Sequence, residues 1–245
     1  MAGVPEPLLL LHGFTQTGRG WDEVIGHLEG ERYRPLAPDL RGHGAASPRR
    51  PIDIDACVRD IAGLSAGSFA LAGYSMGGRL ALHVALAHRQ RVSRLVLVST
   101  TAGIEDPAQR ASRLAADEAL AAWMEQEGRT MFEVADRWGA QPLFDGQSPQ
   151  VAARARADRL TNDPSHLAAA LRGLGTGVMR PLWGRLGELD MPVTVVAGER
   201  DAKFEALARR LARELPDARL TIVAGAGHAL ALEAPAAVAD ALTGR

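Results

Sequence analysis

The sequence predicts an α/β protein with a mostly parallel sheet and flanking helices. Short apolar runs alternate along the chain with helical patterns, an order typical of parallel strands joined by helices. The runs are rich in Val, Leu and Ala and lack polar alternation, as expected of strands buried on both faces. Six segments fit this description: Leu8–Leu11, Arg34–Ala37, Phe69–Tyr74, Leu95–Ser99, Val193–Ala197 and Leu220–Val223.

Four amphipathic segments, three between these strands and one after the last, predict the helices that cover the sheet. They are Ile54–Ser65, Gly78–His88, Glu205–Glu214 and Ala236–Leu242. Crossovers between neighbouring parallel strands are right-handed, which nearly fixes the topology.

A long interval without a predicted strand, residues 103–190, indicates a helical cap. It contains two amphipathic pieces and four prolines that we interpret as helix breakers: Arg110–Gln126, Thr130–Trp138, Pro142, Pro149, Pro164 and Pro181. Such an insertion is most simply laid over the C-terminal edge of the sheet, where ligands bind in open α/β sheets. We therefore predict a core of residues 1–102 and 191–245 and a cap of residues 103–190.

Composition excludes several classes of protein. The 245 residues are 47% hydrophobic and 23% charged, which is ordinary for one globular α/β unit with a sizeable core. The net charge of -1 predicts no attraction to nucleic acid or membranes. The single cysteine, Cys57, excludes an intramolecular disulfide. No apolar run has the length of a signal-peptide core or a membrane span, so we expect a cytoplasmic protein of undetermined oligomeric state.

A candidate nucleophile follows the third predicted strand. Gly73-Tyr74-Ser75-Met76-Gly77 reads as G-x-S-x-G between a strand and a helix, the context that a nucleophile elbow requires. Glycines are expected on both sides of Ser75 because side chains would collide in so tight a turn. The helix N-terminus beneath the serine favours negative charge.

A serine nucleophile needs a base and an acid, which follow it along the chain in this type of fold. Asp201 comes after the fifth predicted strand and His228 after the sixth, so both fall on the edge that carries Ser75. Asp201 is also interpretable as a helix N-cap, and His228 as an ordinary loop histidine. Glu199 is the rival acid. The order of the three residues favours a Ser75–His228–Asp201 triad.

An oxyanion hole requires two backbone donors. One is expected at Met76, the residue after the nucleophile, and the other at Phe14, in the loop after the first strand. His43, in a polar turn after the second strand, could be mistaken for a base, but a structural role in that turn is favoured. No residues have metal-ligand spacing and no glycine-rich loop could hold a phosphate, so neither a metal nor a cofactor is predicted.

These motifs resemble the α/β-hydrolase superfamily over the whole chain, and four segments resemble the menaquinone-pathway family MenH, the 2-succinyl-6-hydroxy-2,4-cyclohexadiene-1-carboxylate synthases. The segments are Leu11–Phe14 followed by Trp21, Gly73–Arg79, Trp138–Phe144 and Gly198–Phe204. The resemblance implies an α/β-hydrolase fold with its cap between the strands that correspond to the sixth and seventh of that fold. It also implies a lyase that eliminates pyruvate after abstracting a carbon-bound proton.

The resemblance further implies that side chains around the serine hold a small substrate with several carboxylates. By matching position these are Tyr74, Arg79, Arg113, Trp138 and Arg159. Arginine suits this role because its guanidinium binds carboxylates bidentately and stays charged. Two alternatives stay open: a serine carboxylesterase with the same triad, and a non-catalytic binding protein, against which the intact triad argues. The 28 basic residues include one lysine, Lys203, so many of the arginines are expected to be ordinary surface residues.

Overall fold

A sheet of six parallel strands forms the centre of the protein in a computed structural model that describes residues 5–28 and 32–244. The strands are β1 (Glu6–Leu11), β2 (Tyr33–Leu36), β3 (Phe69–Tyr74), β4 (Val92–Val98), β5 (Val193–Gly198) and β6 (Ala218–Val223). Their spatial order is β2-β1-β3-β4-β5-β6. All six predicted strands and the α/β-hydrolase fold are confirmed.

The central strands β1, β3, β4 and β5 are largely buried on both faces, which explains the absence of polar alternation in them, whereas the edge strands β2 and β6 are only partly buried. Leu9 and Leu11 of β1 belong to one hydrophobic cluster, whereas Leu8 and Leu10 belong to another on the opposite face. β4 begins at Val92, three residues before the predicted Leu95, because Ser93 and Arg94 interrupt its apolar pattern.

Ten α-helices are present among the described residues. They are α1 (Asp22–Gly26), α2 (Ile54–Gly63), α3 (Met76–Ala87), α4 (Pro107–Met124), α5 (Met131–Gly139), α6 (Pro149–Arg159), α7 (Pro164–Leu174), α8 (Ala202–Glu214), α9 (Leu230–Glu233) and α10 (Pro235–Thr243). Helices α2, α3 and α8 cover one face of the sheet, and α1 and α10 the other. Within residues 5–28 and 32–244, no helix is both long and apolar enough to cross a membrane.

The cap segment between β4 and β5 contains helices α4 to α7 and no strand among its residues, all of which are described. Two of its prolines were wrongly interpreted as breakers, since Pro149 and Pro164 each begin a helix. Proline suits the first position because its missing N–H has no partner there, and Ser148 and Asp163 cap the two helices. The cap helices share a small apolar cluster, whereas Leu174 and buried residues between Met179 and Leu189 pack in the main core cluster, so the division at residues 103–190 stays a prediction.

Candidate active site

Ser75 lies in a strained turn between β3 and α3. Its φ is +51°, a value rare for a residue with a side chain. A Cβ on Gly73 would lie 2.2 Å from the carbonyl oxygen of Gly77, and one on Gly77 would lie 2.1 Å from that of Leu11. Only glycine fits at either position, as the sequence pattern predicts. The Thr100 hydroxyl donates to the Ser75 carbonyl at 2.7 Å and helps to hold the turn.

Three polar side chains from separate loops meet at this turn. Nε2 of His228 lies 3.3 Å from Oγ of Ser75, and Nδ1 of His228 lies 2.7 Å from Oδ2 of Asp201. Both histidine and aspartate are buried, with 2% and 7% of their surface exposed. An Nδ1–H histidine can therefore donate to the carboxylate while Nε2 accepts the serine proton. This arrangement can generate a serine alkoxide or move a proton through the serine.

The two alternatives for the acid differ in what they contact. Asp201 pairs with His228, and its second oxygen accepts the Phe204 N–H at 3.2 Å, so one carboxylate both orients the histidine and caps α8. Glu199 instead accepts the Gly225 N–H at 2.8 Å. The geometry therefore favours Asp201.

Aromatic rings enclose the histidine. The rings of Phe204, Tyr74 and Phe144 have centroids 4.4, 5.3 and 6.1 Å from that of His228. Packing on several sides restricts the imidazole to the orientation that joins Ser75 and Asp201.

Two backbone N–H groups are suited to an oxyanion. Phe14 and Met76 both line the cavity over Ser75, and neither N–H has a hydrogen-bond partner within the described residues. Met76 is the first residue of α3, so its N–H lies at the positive end of the helix dipole. A Cβ on Gly13 would lie 2.6 Å from the Tyr74 ring, so the loop that carries Phe14 reaches its position only with glycine there.

A cavity of about 520 Å³ lies above Ser75, between the sheet edge and the cap. Its lining includes four cationic residues, two acidic residues and an apolar wall: Arg79, Arg113, Arg200, Lys203, Asp145, Asp201, Pro142, Leu143, Leu171, Leu174 and Phe204. The cations outnumber the acids, which favours an anionic ligand.

Arg79 and Arg113 reach this cavity from opposite sides, one from core helix α3 and the other from cap helix α4. Burial, and next the charge of Arg113, lower the pKa of Arg79 to about 10, so the guanidinium is still charged at neutral pH. Its Nη2 donates to the Leu174 carbonyl at 2.7 Å. Nε of Arg113 donates to Asp117 at 2.7 Å. These contacts fix both guanidinium groups while leaving further N–H donors free for a ligand.

The other residues implied by the resemblance fall into two sets. Trp138 lines the cavity and packs edge-on against Phe14 with centroids 4.8 Å apart. Tyr74 and Arg159 are buried and are not among the residues that line the cavity. Arg159 lies 5.0 Å from the centroid of Phe144, and burial lowers its pKa. Burial also raises the pKa of Tyr74. Direct contact of these two residues with a substrate stays a prediction.

Several lining residues were not predicted as site residues. Arg200, Lys203 and Gln141 all line the cavity. Two sequence signals pointed to them: Lys203 is the one lysine of the chain, and all three lie in the segments that resemble the MenH family. No group of three or more His, Cys, Asp or Glu residues within 5–28 and 32–244 could hold a metal ion.

The fold and this arrangement place the chain in a known family: residues 8–241 match the Alpha/beta hydrolase family, to which the protein belongs. It is similar to a Bacillus subtilis protein provisionally named 2-succinyl-6-hydroxy-2,4-cyclohexadiene-1-carboxylate synthase, with 36% identity over 94% of this chain and 86% of the relative. The synthase of that name from Salmonella paratyphi C is 33% identical, in an alignment that covers 98% of this chain and 93% of that relative. The structure of MenH from S. aureus has a TM-score of 0.90 and 30% identity, covering 99% of this chain and 94% of that one.

Proposed function

We propose that this protein is a lyase of menaquinone biosynthesis that eliminates pyruvate from 2-succinyl-5-enolpyruvyl-6-hydroxy-3-cyclohexene-1-carboxylate. The observation that supports this most is the pair Arg79 and Arg113 on the cavity that contains Ser75. Asp117 pairs with Arg113 on one side, yet the charge of Arg113 still lowers the pKa of Arg79, so an anion bound between the two guanidinium groups is stabilised by both. A hydrolase of neutral esters has no use for such a pair, whereas a substrate with several carboxylates does.

Substrate binding follows from the charges of the cavity. Arg79 and Arg113 each offer N–H donors that match the two oxygens of a carboxylate. Lys203 adds positive charge on the same lining, where Arg200 is already paired with Glu233. Trp138 supplies a flat apolar surface against which a cyclohexene ring can pack.

The reaction begins with proton transfer. His228, oriented by Asp201, accepts the proton of Ser75, and the serine oxygen then removes the proton α to the succinyl carbonyl. The C–H electron pair forms an enolate whose oxygen accepts the N–H groups of Phe14 and Met76. As the enolate collapses, a double bond forms between C2 and C3 of the ring, the C3–C4 double bond shifts to C4–C5, and the C–O bond from C5 to the enolpyruvyl group breaks. The released enolpyruvate takes up on carbon a proton equivalent to the one that His228 gives up, so pyruvate forms and the histidine is neutral again.

Each group needs to supply only a moderate rate enhancement. General base catalysis supplies about 10²–10⁴-fold, and one oxyanion donor about 10²–10³-fold. Positioning of the substrate by the arginines adds to both, because the acidic C–H must lie within reach of the Ser75 oxygen.

The test compares two substrates on variants of the cavity. With wild-type protein, pyruvate release from the enolpyruvyl substrate is expected to exceed hydrolysis of short-chain p-nitrophenyl esters by orders of magnitude in kcat/KM. Arg79→Ala and Arg113→Ala are each expected to lose about 2–5 kcal/mol of transition-state binding for the anionic substrate and far less for the ester. The matched control is Arg172→Ala, a cap arginine paired with Glu118 on the surface. Equal losses for both substrates would contradict the proposed carboxylate clamp.

Lys203 permits a chemical version of this test. An acylating reagent directed at amines modifies this side chain and the chain's N-terminal amine, because the protein has no other lysine. Acylation removes the positive charge, so pyruvate release is expected to fall, and Lys203→Arg protein is expected to resist the treatment. Equal inactivation of both proteins would exclude a role for the Lys203 charge.

A carboxylesterase is the second candidate. The observation that favours it is the apolar wall of Leu143, Leu171, Leu174 and Phe204, which could accept an acyl chain. In that reaction Ser75 attacks the ester carbonyl instead of a C–H proton. Rapid ester turnover without any pyruvate release would favour this candidate over the lyase.

A further inference from the structure

The carboxylate of Glu233 is buried beside the catalytic edge, with 5% of its side chain exposed. It accepts the Gly227 N–H at 2.8 Å and the Ala229 N–H at 3.0 Å. These are the backbone groups on either side of His228. The carboxylate also accepts Nη2 of Arg200 at 2.8 Å.

We propose that Glu233 is a positioning residue for His228, and that Arg200 connects this carboxylate to the cap. The inference rests on the proposed role of His228 as the base. Two N–H bonds to one rigid carboxylate fix the backbone before and after the histidine, so the imidazole is held between Ser75 and Asp201. Glu233 ends the short helix α9, which begins directly after this loop, so the clamp is compact.

Arg200 extends the clamp in two directions. It directly precedes Asp201, and its backbone N–H donates to the Ala226 carbonyl at 2.9 Å, which joins the acid loop to the histidine loop. Its Nη1 donates to the Gly146 carbonyl at 2.6 Å, in the cap loop between Phe144 and α6. One guanidinium therefore joins the cap to the carboxylate that holds His228.

The buried carboxylate of Glu233 depends on the charge of Arg200. A buried carboxylate is unfavourable unless it is paired and hydrogen-bonded, and Arg200 supplies the one cationic partner of Glu233 among the described residues. When the cap loop moves away from Arg200, the guanidinium loses an acceptor and its hold on Glu233 weakens. The position of the cap thereby affects the alignment of the base, so the two are coupled.

The first experiment measures the reactivity of Ser75 without any substrate of the proposed reaction. A fluorophosphonate reacts with an activated serine, and intact mass gives the second-order rate of labelling. Glu233→Gln preserves shape but replaces one acceptor with an amide NH₂ and removes the charge. Labelling is expected to slow about tenfold or more because misplacement of the base is costly. Pyruvate release is expected to lose kcat with KM little changed, and Glu233→Asp is expected to recover part of the rate.

The matched control is Glu199→Gln. Glu199 accepts one N–H from the same loop, at Gly225, but does not contact the residues next to His228. Labelling at the wild-type rate is expected for this variant. Thermal melting checks that each protein is folded before rates are compared.

The second experiment tests whether Arg200 acts through Glu233. Arg200→Gln is expected to slow labelling by a smaller factor, and the double variant is expected to be no slower than Glu233→Gln alone, because both changes break the same connection. Arg209→Gln is the control, since Arg209 pairs with Glu205 on the outer side of helix α8, which begins just after Arg200.

The outcomes separate this inference from the proposed function. If wild-type Ser75 is labelled and folded Glu233→Gln is labelled equally fast, the positioning role is wrong while the triad stands. If the two single losses multiply in the double variant, the link through Arg200 is wrong. If wild-type Ser75 is not labelled at all, the base itself is wrong and the inference is overturned with it. Labelling without pyruvate release overturns only the lyase.

Discussion

Two buried histidines, His228 and His43, follow strands of the same sheet, yet their surroundings differ completely. His228 is 2% exposed and His43 is fully buried. Nδ1 of His228 lies 2.7 Å from a carboxylate, that of Asp201. Nδ1 of His43 lies 3.2 Å from the Arg41 carbonyl, and its Nε2 accepts the Thr15 N–H at 3.3 Å. Burial is common to both, so the two histidines differ in the partners of their ring nitrogens.

His43 is a structural residue. Burial, and next the charge of His12, lower the pKa of His43 to about 3, so it is neutral at physiological pH. His12 lies edge-on to it with centroids 5.0 Å apart and accepts the Leu40 N–H at 2.9 Å. The two neutral rings tie the loop after β1, which carries Phe14, to the loop after β2. His228 therefore lies between a carboxylate and Ser75, whereas His43 and His12 hold the loop beside them.

The largest expected effect is a loss of turnover, and it distinguishes His228 from His43 directly. His228→Ala and Ser75→Ala are each expected to lower kcat by about 10⁴-fold or more, and the double variant to lose little beyond that, because triad residues act as a unit. Melting temperatures are expected to change little. The rate of pyruvate release gives the measurement. A folded Ser75→Ala protein with near-normal turnover would refute the triad. The loss in His43→Ala is expected to be far smaller than that in His228→Ala, because His43 acts only through the loop that carries Phe14.

Replacing the carboxylate of Asp201 with an amide tests the role of this residue as the partner of His228. Asp201→Asn is expected to lower kcat by about 10³–10⁴-fold, since the amide favours the wrong tautomer of the histidine. Stability is expected to persist, because asparagine also caps helices and can still accept the Phe204 N–H. Glu199→Gln is the matched change in the rival acid, and a larger loss there than in Asp201→Asn would reverse the assignment.

The sequence was sufficient to predict the strands and the three residues that meet at Ser75. Both follow from local chemistry: apolar runs specify buried strands, and Gly73 and Gly77 specify a turn that no other residue fits. The structural role of His43 was also favoured from the turn that surrounds it.

The structure of the cap and the contacts that support His228 were harder to predict from the sequence. Pro149 and Pro164 look like breakers unless their capping residues are recognised, and an amphipathic pattern does not show which arginine turns inward. Arg113 lines the cavity, whereas Arg172 in the same cap forms surface ion pairs. Glu233 carried no sequence signal, because its role depends on loops that are brought together by the fold.

A smaller effect is expected when the structural histidine is removed. His43→Ala leaves the Thr15 N–H and the Arg41 carbonyl without their partner, which is expected to cost about 1–3 kcal/mol of unfolding free energy. Chemical denaturation at pH 7 measures this cost. His27→Ala, at an exposed histidine, is the control and is expected to be neutral. No loss in His43→Ala would show that the loop does not depend on this ring.

The smallest expected effect is a pH dependence of stability that originates at His43. Its pKa in the folded protein, about 3, lies below the ordinary value of 6.5. The unfolded chain therefore binds the extra proton between these values, so stability is fully present above pH 6.5 and decreases as the pH falls. The loss approaches about 1.4 kcal/mol per pH unit for one such histidine.

The comparison of wild type with His43→Ala isolates the contribution of His43, including its interaction with His12, because the remaining titrating groups are common to both proteins. Lowering the pH from 7 to 5.5 is expected to destabilise the wild type by about 1 kcal/mol more than the variant, so the gap between their unfolding free energies narrows. Denaturation curves at the two pH values measure the gap. A gap that widens on acidification would mean that His43 gains a proton in the folded state, and the contrast with His228 would then fail.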